Sequence, residues 1–116
     1  MTGQVAICRI SEIPEGRGRV VRLGDRAIAL FKDQGQIHAI LDRCPHAGAS
    51  LGRGWTEDGA VVCPLHFWRF RLADGHCLAG SEESHVPRFP VDIRDGWVWI
   101  TDPASNANAN SNDSPE

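Results

Sequence analysis

Cys44-Pro45-His46 and Cys63-Pro64-Leu65-His66 each bring one thiol and one imidazole, and sixteen residues, Ala47 to Val62, lie between them. As a pattern this is C-x-H, sixteen residues, C-x2-H. Two kinds of metal centre accept two sulfur and two nitrogen ligands divided between two loops. A single tetrahedral Zn takes Cys2His2, and a 2Fe-2S cluster of mixed ligation takes two Cys on one iron and two His on the other. Spacing separates them. A zinc finger usually pairs Cys with Cys at one end and His with His at the other, whereas here each loop is mixed, so two loops can grip opposite ends of a diiron unit. A structural zinc-binding interaction module stays as the alternative reading of the same four residues.

On these residues the chain resembles the Rieske ferredoxin family, whose motif is a C-x-H loop followed at this separation by a C-x2-H loop. The resemblance extends to Cys44-Pro45-His46-Ala47-Gly48, to Leu51-Gly52 through Gly54, and to Phe67-Trp68-Arg69-Phe70 ahead of Asp74-Gly75; it covers Ser11 to Thr101. It implies an all-β fold, a Rieske-type antiparallel β sandwich or barrel with an inserted small cluster-binding β subdomain at about residues 42–72. It also implies one 2Fe-2S cluster per chain, held by Cys44, His46, Cys63 and His66. The implied role is that of a one-electron carrier, not a catalyst, passing electrons from a NAD(P)H-dependent flavin reductase to a terminal oxygenase, often one of aromatic compounds. The small subunit of an NADH-dependent nitrite reductase is a second role open to the same resemblance. The edges of His46 and His66 are the expected exit route, with Phe67, Trp68 and the loop Ala47 to Ser50 as the docking rim. Many members place a proline in a third loop beside the cluster; this chain has Gly80-Ser81-Glu82-Glu83 there.

Electrostatics sets what such a site does. Two ferric ions, two sulfides and two thiolates sum to zero, and one electron takes the sum only to minus one, so His ligation raises the potential above that of an all-cysteine cluster. Hydrogen-bond donors to sulfur raise it further. Respiratory Rieske proteins resemble this motif but add a disulfide and hydroxyl donors; here the corresponding positions look like Ala49 and Leu65, and the chain has no Tyr. A potential at the low end of the Rieske range is therefore expected.

The frame is modest. A chain of 116 residues suits one domain, placed at residues 1–102, with a small core. Twelve Lys+Arg against fifteen Asp+Glu give a net charge of -3, and Lys32 is the only lysine. Nothing polybasic points to nucleic acid. No run approaches the length of a membrane span and Met1 to Ile10 does not read as a leader, so a cytoplasmic protein, a monomer by default, is expected. Cys8 and Cys77 fall in apparent strands and read as buried free thiols, with a bridge between them as the minor alternative. Residues 103–116, rich in Ala, Ser and Asn, read as a disordered tail.

Short strands divided by turn residues fill the remainder. Val5 to Ile10 opens; Arg19 to Leu23 and Ala27 to Phe31 form a hairpin about Gly24-Asp25, with Ile28 and Leu30 on one face; Gln36 to Leu41 runs into the first loop. Gly48, Gly52 and Gly54 give that loop freedom to wrap a compact inorganic body. Ala60 to Val62 delivers Cys63, Phe67 to Leu72 alternates, Arg88 to Ile93 is a strand with Pro87 and Pro90 marking an edge, and Trp97 to Thr101 closes. No sustained 3.6-residue period appears, which favours an all-β sandwich or barrel. His38, His76 and His85 lack ligand spacing to a cysteine and read as structural or surface residues.

Overall fold

A computed structural model describes residues 3–45, 48–81 and 83–102. The tail expected at 103–116 lies outside the described residues. Eleven strands are present among them: β1 (Gly3–Arg9), β2 (Gly18–Leu23), β3 (Arg26–Asp33), β4 (Gln36–Leu41), β5 (Trp55–Glu57), β6 (Ala60–Val62), β7 (Arg69–Arg71), β8 (Cys77–Ala79), β9 (Arg88–Phe89), β10 (Val91–Arg94) and β11 (Trp97–Asp102). They form three antiparallel sheets in the orders β1-β11-β10, β2-β3-β4-β9 and β5-β6-β7-β8. The fold is the all-β arrangement that the sequence indicates.

The middle sheet is covered on both faces. Ile28, Ala29, Leu30 and Phe31 of β3 are all fully buried, and because successive strand side chains point to opposite faces, they feed two cores. Ile28 and Leu30 join Cys8, Val98 and Ile100 of the β1-β11-β10 sheet. Ala29 and Phe31 join Val61, Phe70 and Cys77 of the small sheet. The unbroken run Ala27-Ile28-Ala29-Leu30-Phe31 is thus the signature of a doubly buried strand, and only its Ile28 and Leu30 face was assigned from pattern alone. Cys8 and Cys77 are buried free thiols in separate cores, with no disulfide between them.

Two expectations change. The single strand Arg88 to Ile93 is two strands: β9 pairs with β4 in the middle sheet, whereas β10 pairs with β11 in another. Pro90 separates them because it has no N–H for a ladder, and its carbonyl accepts from Thr101 N–H at 3.2 Å. The small sheet also runs on past residue 72, where pattern placed the end of the subdomain. The Asp74-Gly75 turn returns the chain so that Cys77 faces Phe70 and Ala79 faces Arg69. A side-chain tie joins this sheet to the middle one, since Arg88 Nε donates to the Leu72 carbonyl at 2.8 Å.

Candidate metal centre

The two loops share one hydrogen-bond pattern. In the first, Cys44 N–H donates to Ala49 O at 2.8 Å and Gly48 N–H donates to Cys44 O at 2.7 Å. In the second, Cys63 N–H donates to Trp68 O at 2.7 Å and Phe67 N–H donates to Cys63 O at 2.9 Å. Each cysteine therefore closes a tight turn onto the residue five places on, and the residue four places on has left-handed backbone: Gly48 at φ 76° and Phe67 at φ 62°. Glycine enters that region without penalty. A bulky residue there is strained by about 1–3 kcal/mol and marks a constrained site.

Both thiols point into one apolar cluster. Cys44 and Cys63 are fully buried beside Leu51, Val61, Phe70 and Cys77. His66 lies in the turn Pro64 to His66 and is exposed, as are Leu65 at 50% and Phe67 at 63%. His46, the fourth expected ligand, lies outside the described residues, as does Ala47 of the expected rim. Two thiols and an imidazole are donor types that a mixed-ligand diiron unit takes, so the chemistry of the described donors fits that group.

Other contacts fix the first loop. Asp42 takes the Ser50 hydroxyl on its carboxylate at 2.7 Å and Gly52 N–H at 2.6 Å, while its own N–H donates to Ala27 O at 2.9 Å. Asp42 thereby ties the exit of the loop to its entry through the carboxylate, and to β3 through its backbone N–H. Nothing in the sequence singles out Asp42, because its partners lie eight and ten residues away. Of the three glycines expected to give the loop freedom, only Gly48 uses left-handed backbone; Gly54 has φ -84°.

The second loop carries the aromatics. Phe67 lies 6.3 Å, centroid to centroid, from Trp55, which is half-buried. Trp55 Nε1 and Arg69 Nη2 both donate to Glu57, at 2.9 and 2.5 Å, and these bonds, Arg69 first, hold the Glu57 carboxyl below its ordinary range. Trp68 is half-buried against the cysteine-containing core and fills the space above Gly80 of the third loop; a Cβ at Gly80 would overlap the indole. Of the other histidines, His38 sits on β4 with Nδ1 buried and without a hydrogen bond, and burial, then the charge of Arg88, lower its pKa. His76 and His85 are exposed.

Residues 3–90 match the family model of the Rieske [2Fe-2S] domain. The chain belongs to the Rieske family. Its cofactor is the 2Fe-2S cluster of that family. The chain is 38% identical over 99 residues to the 3-phenylpropionate/cinnamic acid dioxygenase ferredoxin subunit of Photorhabdus laumondii, covering 84% of this chain and 93% of that protein. It is similar to a Mycobacterium tuberculosis chain assigned as an NADH-dependent nitrite reductase small subunit, with a TM-score of 0.80, 28% identity and coverage of 88% and 96%. It is also similar to a chain in the complex of reduced oxygenase and oxidised ferredoxin of carbazole 1,9a-dioxygenase, with a TM-score of 0.77, 26% identity and coverage of 84% and 92%. No helix among the described residues is long and apolar enough to cross a membrane.

The hairpin after the second loop has a pH signature of its own. Arg71 Nε and Nη2 donate to both oxygens of Asp74, at 3.0 and 2.9 Å, and His76 N–H donates to the same carboxylate at 3.0 Å. These bonds, Arg71 foremost, lower the Asp74 pKa to about 2 from 3.8. A depressed carboxylate stabilises the fold above its unfolded pKa and loses that contribution as pH falls through its folded value. Asp74→Asn is therefore expected to lower the unfolding midpoint at neutral pH, with the gap to the native protein closing between about pH 4 and pH 2, as followed by denaturant titration across that range. A gap that stays constant down to pH 2 would contradict this.

Proposed function

We propose that this chain is a one-electron carrier, a Rieske ferredoxin that accepts electrons from a NAD(P)H-dependent flavin reductase and delivers them to a terminal oxygenase of aromatic compounds. In this reading Cys44, His46, Cys63 and His66 hold the single 2Fe-2S cluster, residues 1–102 form one Rieske domain with 103–116 outside it, and the protein works in the cytoplasm. The observation that carries it is the pair of twin turns, which present two buried thiols from opposite loops with an imidazole at the surface. Similarity to a ferredoxin subunit along nearly its whole length supports the carrier role. When bound, the cluster supplies reversible one-electron chemistry at a potential raised by its nitrogen ligands. The chain's own part is to keep the sulfur side dry and leave the imidazole side near the partner. With all four protein ligands engaged, no position is left open for a substrate.

The similarity to the Mycobacterium tuberculosis chain favours a second reading, a small subunit of an NADH-dependent nitrite reductase. Co-purification with a large sirohaem subunit separates it from the carrier reading.

Three outcomes test the proposal. Cys44→Ser and Cys63→Ser are each expected to lose the visible absorption and the rhombic electron paramagnetic resonance signal of a reduced mixed-ligand cluster, because a hydroxyl is a poor ligand for iron; full colour in either variant would overturn the assignment. The second concerns the potential. The Ser50 hydroxyl is committed to Asp42, Leu65 and Ala49 carry no donor, and redox titration should give a value near about -150 mV; a value above about +100 mV would refute the donor argument. The third isolates docking. Phe67→Gly relieves left-handed strain of about 1–3 kcal/mol against about 0.5–1 kcal/mol of glycine entropy, so stability should hold or rise slightly. The same change removes the exposed ring from the rim, and stopped-flow electron transfer to the oxygenase should slow with the potential unmoved. An unchanged transfer rate would remove Phe67 from the docking surface.

A further inference from the structure

The third loop is the tip of a hairpin whose base carries two imidazoles. Cys77 N–H donates to Ser84 O at 3.1 Å and Val86 N–H donates to Gly75 O at 2.8 Å. Between these bonds His76 and His85 stand opposite each other as an antiparallel bridge. The bonds belong to the flanking residues, so the two histidines form the non-hydrogen-bonded kind of pair. In that kind the Cα atoms are about 4.5 Å apart and the side chains leave on the same face, closer together than in any other cross-strand pair. The flanking Gly75, Cys77 and Val86 are buried, whereas both histidines are exposed. The imidazoles therefore share the outward face.

We propose that His76 and His85 form a binding site for a borderline divalent transition cation of the Zn2+ class, separate from the cluster ligands. Imidazole nitrogen binds such ions at about 2.0–2.1 Å, and rotation of two exposed side chains with opposed Cβ atoms is enough to bring one nitrogen of each to a common ion. Local charge permits it. Asp74 accepts the His76 N–H, and Arg71 balances its carboxylate in a bidentate pair. Glu83, exposed within the same hairpin, adds a negative charge. Among the described residues no third His, Cys, Asp or Glu completes a metal-binding group, so water fills the remaining positions and the ion exchanges readily. Bound there, it staples the base of the loop whose Gly80 seats the Trp68 indole against the cysteine-containing core. Cation binding is thereby linked to the rigidity of the third loop.

The cluster-loaded protein titrated with Zn2+ in a non-chelating buffer, followed by calorimetry and by the visible spectrum, tests this. One equivalent should bind with a micromolar dissociation constant and leave the cluster absorption unchanged. His76→Gln and His85→Gln should each weaken binding tenfold or more, and His38→Gln should leave it as it was. The proposal is overturned by any of three results: no saturation below about 1 mM, wild-type affinity in both hairpin variants, or Zn2+ uptake that tracks loss of cluster colour.

Discussion

Everything in the molecule depends on keeping two thiols in a dry, apolar pocket while the backbone that carries them stays at the surface. Soft sulfur donors in a water-exposed turn would be open to oxidation and exchange, and a fully buried loop would strand its own polar groups. The twin turns meet both demands. Each cysteine spends its N–H and its carbonyl on a residue of the same loop, so its backbone is satisfied locally while the side chain points into the core shared with Val61 and Phe70. Pro45 after the first cysteine and Leu65 to Phe67 after the second are exposed to solvent.

That arrangement needs a rigid floor, which the doubly buried middle sheet provides. Phe31 and Ala29 on one face of β3 support the cluster side, and Ile28 and Leu30 on the other anchor it to the outer sheet. Asp42 joins floor and loop. It bonds β3 through its N–H and the loop through its carboxylate, and hydrogen bonds to a charged acceptor are the stronger kind. The loop is thus tied to β3 as well as to β4, the strand that leads into it.

The asymmetry between the twins is informative. At equivalent places the first loop has Gly48 and the second has Phe67, both with left-handed backbone. A ring tolerated at a strained position and left 63% exposed contributes little to folding, and an exposed aromatic on a loop is the kind of anchor that protein contacts use. Trp68, one residue on, turns the other way and closes the space over Gly80. Adjacent aromatics thereby divide between the surface and the seal.

The sequence by itself determined the class of fold and the family, and it singled out four candidate ligands by their spacing, because ligand spacing and turn residues are local and each acts within a few positions. It also placed most strands within two residues of their bounds, since alternation and turn residues such as Gly24-Asp25 fix short hairpins. Tertiary structure alone decided which strands share a sheet: Pro90 divides one apparent strand between two layers, and an apolar run such as Ala27 to Phe31 cannot say which neighbour covers each face. It alone revealed the Asp42 clasp, the twin geometry and the His76–His85 pair, whose residues are unremarkable in isolation. The physical reason is common to all of these. Periodicity reports how a segment is buried, but hydrogen-bond partners and opposed side chains are set by the register between segments, and register is fixed only when the whole core closes.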